Sequence, residues 1–144
     1  MGSDQGELAN HIAIVTGAES GIGAACVGAL ACAGARVAGC YFNDRDGAVR
    51  AGAHAAFHCD VSDEASVERA FGAIEADFGK VDILINCAGL NQSGVRVVDM
   101  DTAQWQRLIS TDLTGAFLMS RRFLRAFAAR GRGRIINISS IHEA

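Results

Sequence analysis

The residues most able to do chemistry in this 144-residue chain lie where apolar runs give way to small and polar side chains. Arg134–Ile138 (RIINI) is such a run, and it delivers Ser139 and Ser140, followed by His142 and Glu143. Open α/β sheets present reactive groups at the C-terminal edge of buried strands, where a serine hydroxyl can orient a substrate oxygen. A second such place is Thr16-Gly17-Ala18-Glu19-Ser20-Gly21-Ile22-Gly23, at the end of the apolar run His11–Thr16. There Gly17 permits a tight turn, Gly21 lets the backbone approach a ligand, and Gly23 lets a helix pack closely on a strand. The helix that starts at this turn offers unpaired N–H groups and a partial positive charge, which suit a pyrophosphate.

The elements that must position these residues follow from periodicity and punctuation. Strands are predicted at His11–Thr16, Arg36–Phe42, Ala53–Val61, Val81–Asn86 and Arg134–Ile138. A small-residue helix over 21–33 ends at Gly34, and Asn43–Gly47 (NDRDG) reads as a polar turn. Ser62 is the expected N-cap of a helix in which Val67, Ala70, Phe71, Ile74 and Phe78 recur at helical spacing before Gly79 stops it. Asp101 and Gln104 form a capping pair for one long helix, with Trp105, Leu108, Ile109, Leu113, Phe117, Leu124 and Phe127 on one face. Near-continuous apolar strands separated by helices call for a parallel sheet covered on both faces. Right-handed crossovers then predict a doubly wound α/β fold of the Rossmann type, strand order 3-2-1-4-5, truncated after the fifth strand. The expected organisation is a flexible lead-in over 1–10 and one incomplete domain over 11–144.

Thirteen basic and 16 acidic side chains give a net charge of -3, which offers nothing obvious to nucleic acid or an anionic membrane. The local exception, Arg121, Arg122, Arg125, Arg130, Arg132 and Arg134, is read as cations complementing a helix C-terminus. Five cysteines without a C-x-x-C pair indicate neither a zinc site nor a disulfide framework. With no signal peptide and no apolar run of spanning length, the expected location is cytoplasmic.

The spacing T-G-x-x-x-G-x-G, with Cys59-Asp60-Val61, Asn86-Cys87-Ala88-Gly89, Asp112-Leu113-Thr114-Gly115 and Ile138-Ser139-Ser140 in that order, resembles the short-chain dehydrogenase/reductase family. The resemblance implies an NAD- or NADP-dependent oxidoreductase transferring hydride between nicotinamide and a small alcohol, ketone or sugar. It assigns Gly17, Ser20, Gly21, Ile22 and Gly23 to the pyrophosphate, Asp60 and Val61 to the adenine, and Asn86, Ala88 and Gly89 to the adenosine ribose and nicotinamide side. From the residues alone, the lesser alternative is that Asp60 simply caps the helix beginning near Ser62. The choice between NAD and NADP stays open, because Tyr41 and Phe42 occupy the second-strand end where an acid would bind a ribose 2′-OH, while Asp44 and Arg45 carry opposite charges just beyond.

By the same resemblance Ser140, with Ser139 as the runner-up, orients the substrate oxygen for a Tyr acid/base whose pKa a Lys lowers in a Tyr-x-x-x-Lys motif. The only Tyr is Tyr41 and the only Lys is Lys80, so both catalytic partners are absent from this sequence and the chain alone is expected to be inactive. Asp112 stands where the family has an Asn that helps hold a relay water; its carboxylate would raise the pKa of the expected Lys. Cys87 replaces the second Asn of N-N-A-G. Ser139–Glu143, with Thr114–Leu118, resembles the glucose dehydrogenase branch. The family also implies a homo-oligomer. The alternative is a non-catalytic dinucleotide-binding or interaction module.

Overall fold

The computed structural model describes residues 6–91, 94–128 and 131–140; the expectations for Arg130, Ile141, His142 and Glu143 lie outside the described residues. Strands β1 (Ile12–Thr16), β2 (Arg36–Tyr41), β3 (Ala55–His58), β4 (Ile83–Asn86) and β5 (Arg134–Asn137) pair in parallel in the order β3-β2-β1-β4-β5. Successive side chains of a strand point to opposite faces. Accordingly Ala13, Val15, Ile83 and Ile85 pack on one face of the sheet, and Ile14 and Leu84 on the other. Both faces are apolar because both are covered, as a parallel sheet requires.

Helix α1 (Gly21–Cys32) supplies Val27, and α2 (Arg45–Arg50) Ala48, to the first layer. Helices α3 (Glu64–Phe78) and α5 (Gly115–Phe127) supply Phe71, Ile74, Met119 and Phe123 to the second. Burying each of these larger side chains contributes about 1.5–3 kcal/mol. Of the lead-in expected to be flexible, residues from Gly6 onward form a turn in which the Leu8 N–H donates to the Ala33 carbonyl at the end of α1. No described helix is long and apolar enough to cross a membrane.

Several elements differ from expectation for local reasons. The polar stretch read as a turn holds the first turn of α2, nucleated by Asp44, whose side chain accepts from the Gly47 N–H at 2.8 Å. Asp63 rather than Ser62 caps α3, accepting from the Ala65 and Ser66 N–H groups. β3 is shorter than predicted at both ends. Before it, the His54 ring accepts from the Val37 N–H; after it, the Asp60 N–H donates to Ser66 Oγ, so side chains satisfy these two N–H groups.

The single long helix is in fact α4 (Thr102–Leu108), a π-helical segment (Ile109–Thr114) and α5. Asp101 and Gln104 do form the capping box. The wide turn changes which face meets the core, and Leu118, Met119 and Phe123 are buried there. Trp105, Leu113, Phe117 and Leu124, expected on the buried stripe, are exposed.

The arginines also work differently. Arg121 pairs with Glu64, and Arg122 with both Glu68 and Glu75, so the cations of α5 clamp it across to α3 rather than neutralising its own end. The Arg122 side chain is 17% exposed and its guanidinium lies 5.1 Å from the centre of the Phe71 ring. Arg122→Ala is expected to lower the unfolding free energy by about 2 kcal/mol, because two part-shielded carboxylates lose a charged donor. Removing the exposed Arg96–Asp99 pair by Arg96→Ala should cost less than about 0.5 kcal/mol. Urea unfolding of both variants checks the contrast.

Candidate functional site

In an open α/β sheet the crevice opens where the strand order reverses, here between β1 and β4. Thr16 ends β1 fully buried, and its Oγ1 accepts from the Cys87 and Ala88 N–H groups, each at 3.0 Å. Gly17 follows with φ +64° and sits so close to the chain after β4 that an added Cβ would stand 3.0 Å from Ala88 Cα. The turn then doubles back until a Cβ on Gly23 would overlap the Gly17 carbonyl oxygen, at 1.9 Å. At Gly21, φ +52°, a Cβ would meet nothing, so that side of the turn is open. Ser20 occupies the N-cap of α1 without a side-chain cap bond, leaving its hydroxyl uncommitted beside the first N–H groups of the helix. The Ile22 side chain projects outward.

Three hollows lie along this edge and share lining residues. One of about 330 Å³ is lined by Gly17, Ser20 to Gly23, Cys87, Ala88, Gly89, Thr111 and Ile138, with Glu19 on its wall. Thr111 leads into a second, of about 370 Å³, bounded by Phe42, Asp60, Val61, Ser62, Leu90 and Arg107. Ala88 and Ile138 lead into a third, of about 390 Å³, whose polar lining includes Asn86, Asp112, Ser120, Asn137 and Ser139. The structure thus gathers the glycine turn, Asp60, Val61, Asn86, Ala88, Gly89 and Asp112 at one edge. Ser139 borders the third hollow, and Ser140 comes next, exposed.

The side chains differ in how much freedom they keep. Asp60 Oδ1 accepts from the Ser62 N–H at 2.9 Å and hydroxyl at 2.6 Å, a local turn leading into α3, of which Asp63 is the cap. Asn86 is buried and donates through Nδ2 to Ser120 Oγ and Asn137 Oδ1, tying β4 to α5 and β5. Its Oδ1 is buried without a partner, an acceptor that a bound group can satisfy. Asp112 lies in the π-helical segment, a feature common at functional sites, and its Oδ1 accepts from the Leu90 N–H at 2.7 Å. Open helix N–H groups, a turn with glycines at 17, 21 and 23 and an orphaned acceptor together fit an extended, phosphate-bearing ligand. Sequence reasoning missed the roles of Thr16 and Glu19. A threonine just before the first glycine was the available signal for Thr16, whereas Glu19 gave none.

Fold and site together define an α/β protein of the Rossmann type. The family model for short chain dehydrogenase matches residues 11–144, and the chain belongs to that family. It is 38% identical over 140 residues to D-threitol dehydrogenase of Mycolicibacterium smegmatis, covering 92% of this chain and 54% of that protein. It is 37% identical over 134 residues to the 3-oxoacyl-[acyl-carrier-protein] reductase of Escherichia coli, covering 90% and 54%. The crystal structure of 3-ketoacyl-(acyl-carrier-protein) reductase from Brucella melitensis complexed with NADH superposes with a TM-score of 0.86 at 31% identity, over 93% of this chain and 58% of that one. The chain spans about half the length of the curated relatives it matches.

Two predictions follow from the geometry. Thr16→Val keeps the shape but strips the acceptor from two N–H groups, so it should cost about 2 kcal/mol in urea unfolding, while Thr16→Ser should cost under about 1 kcal/mol. The second concerns thiols. A hydrogen bond with Cys59, then burial, pushes the Cys40 thiol well up, and burial followed by the nearby Cys26 raises Cys87. A raised thiol pKa in the fold stabilises it below the unfolded value of about 8.5, and that contribution is lost as pH rises through the folded values. Urea midpoints should therefore fall as pH rises above about 8.5, and a thiol reagent should label exposed Cys32 well before Cys40.

Proposed function

We propose that this chain is the cofactor-binding part of an NAD(P)-dependent oxidoreductase that moves hydride between nicotinamide and a secondary alcohol, ketone or sugar. The observation that carries this reading is the meeting of the glycine turn and the Cys87–Gly89 backbone at the β1/β4 switch point, with the first N–H groups of α1 open beside it. Gly17, Ser20, Gly21, Ile22 and Gly23 would cradle the pyrophosphate. Asp60 and Val61 would border the adenine, and Asn86, Ala88 and Gly89 the adenosine ribose and nicotinamide side. When bound, the dinucleotide supplies the hydride chemistry.

Ser140, beside Ser139 on the wall of the third hollow, would orient the substrate oxygen, and Asp112 would hold charge near the proton path. Proton transfer itself needs a phenol tuned by a lysine, and no Tyr-x-x-x-Lys occurs in this sequence. The glycine turn and the open N–H groups of α1 also fit a second reading, a non-catalytic dinucleotide-binding module. The named relatives support alcohols and ketones as substrates, and the five free thiols suit a cytoplasmic setting. The family resemblance supports homo-oligomers.

Titration with NADH and NADPH, followed by nucleotide fluorescence, tests both readings. Saturable binding is expected, and Gly23→Val should abolish it. The chain alone should show no dehydrogenase activity; joining it to a relative's segment that carries Tyr-x-x-x-Lys should create activity on alcohols or sugars. Saturable binding with an inactive, folded chimera favours the module.

A further inference from the structure

The end of β2 is where this sheet type keeps the acid that recognises a ribose 2′-OH, and Tyr41 and Phe42 stand there instead. The structure brings the missing carboxylate from another element. Glu19, in the glycine turn, reaches across so that its Oε1 accepts from the Phe42 N–H at 3.0 Å and the Asn43 N–H at 3.2 Å. We propose that Glu19 makes this site select the unphosphorylated ribose, NAD rather than NADP; the inference rests on the dinucleotide reading above.

The argument is electrostatic. The two N–H groups just past β2 would otherwise be donors for a 2′-phosphate, and a carboxylate has taken both. Its second oxygen, Oε2, is buried without a hydrogen-bond partner, and among the described residues no cation pairs with the carboxylate. The negative charge of Glu19 also contributes to the upward push on the Cys40 thiol of β2. The turn cannot easily swing away, because α2 packs so tightly that a Cβ on Gly47 would stand 2.6 Å from the Glu19 carbonyl oxygen. Nor do the neighbouring ions reverse the sign. Arg50 is bound to Asp44 at 3.0 Å, so of the charges around this strand end Glu19, Asp44 and Asp46 outnumber Arg45 and Arg50. Arg107 lies on the wall of the adjoining hollow with Asp60. An unphosphorylated ribose adds no charge beside the Glu19 carboxylate, whereas a 2′-phosphate carries about -1.5 to -2 charges into the same place.

Isothermal titration of the chain with ADP-ribose and with 2′-phospho-ADP-ribose tests this without any need for catalysis. The unphosphorylated ligand should bind at least about tenfold tighter, and the ratio should shrink as salt is raised. Glu19→Gln keeps an acceptor for the Phe42 and Asn43 N–H groups but removes the charge. It should bring the ratio below about threefold, chiefly by tightening the phosphorylated ligand, with little change in thermal midpoint. Equal binding of the two ligands by the parent chain, a salt-independent ratio, or equal weakening of both by Glu19→Gln overturns the assignment and leaves the dinucleotide reading standing. Binding of neither ligand overturns the dinucleotide reading, and this inference with it.

Discussion

Everything at the C-terminal edge depends on how closely the chain leaving β1 approaches the chain leaving β4. Gly17 and Ala88 are separated by a gap that no side chain on Gly17 could enter, and Thr16 Oγ1 closes it by accepting two N–H groups from the far side. A threonine hydroxyl, unlike a valine methyl, satisfies the backbone where neither strand can. With that seam fixed, α1 can start only where it does, and its free N–H groups must point into the crevice. The site is therefore a consequence of the sheet's strand order and not an addition to it.

Across the same edge, the π-helical segment performs the complementary task. One wide turn between α4 and α5 carries Asp112, which accepts from the Leu90 N–H and so ties the loop after β4 to the helix facing it. The same irregularity lets Gly115 lie against Val61, where a Cβ would stand 2.6 Å from the valine methyl. Arg121 and Arg122, paired with carboxylates of α3, then hold α5 in the position that this contact requires.

What was legible in the sequence was mostly local. The apolar strands, the glycine turn and the strand order followed from periodicity and from residues whose backbone needs are special. α2 was missed because Asn43–Gly47 reads as a turn until Asp44 is seen capping it, and Ser62 was preferred to Asp63 because either residue type caps well. The π-helical segment has no local signature; it is stabilised by the contact between Asp112 and a residue 22 positions away. Arg122 likewise bonds to Glu75, 47 positions distant, so its type alone suggested a helix-end cation. Glu19 sits inside the most readable motif of the chain, yet its bonds go to the end of another strand.

This division has a physical logic. In the proposed site, phosphate recognition at the turn would fall to backbone N–H groups, whose directions are set by φ and ψ and by the absence of side chains at Gly17, Gly21 and Gly23. The charge at the end of β2 is made by a side chain anchored to two amides that are already in place. Changing the backbone part would move α1 and reopen the seam with β4, so it tolerates little variation. Changing the side chain alters only the sign and reach of one charge. On the proposed reading, affinity for the shared part of a dinucleotide and discrimination between its ribose forms would thus be carried by separable groups, although both arise within a single eight-residue stretch, Thr16–Gly23.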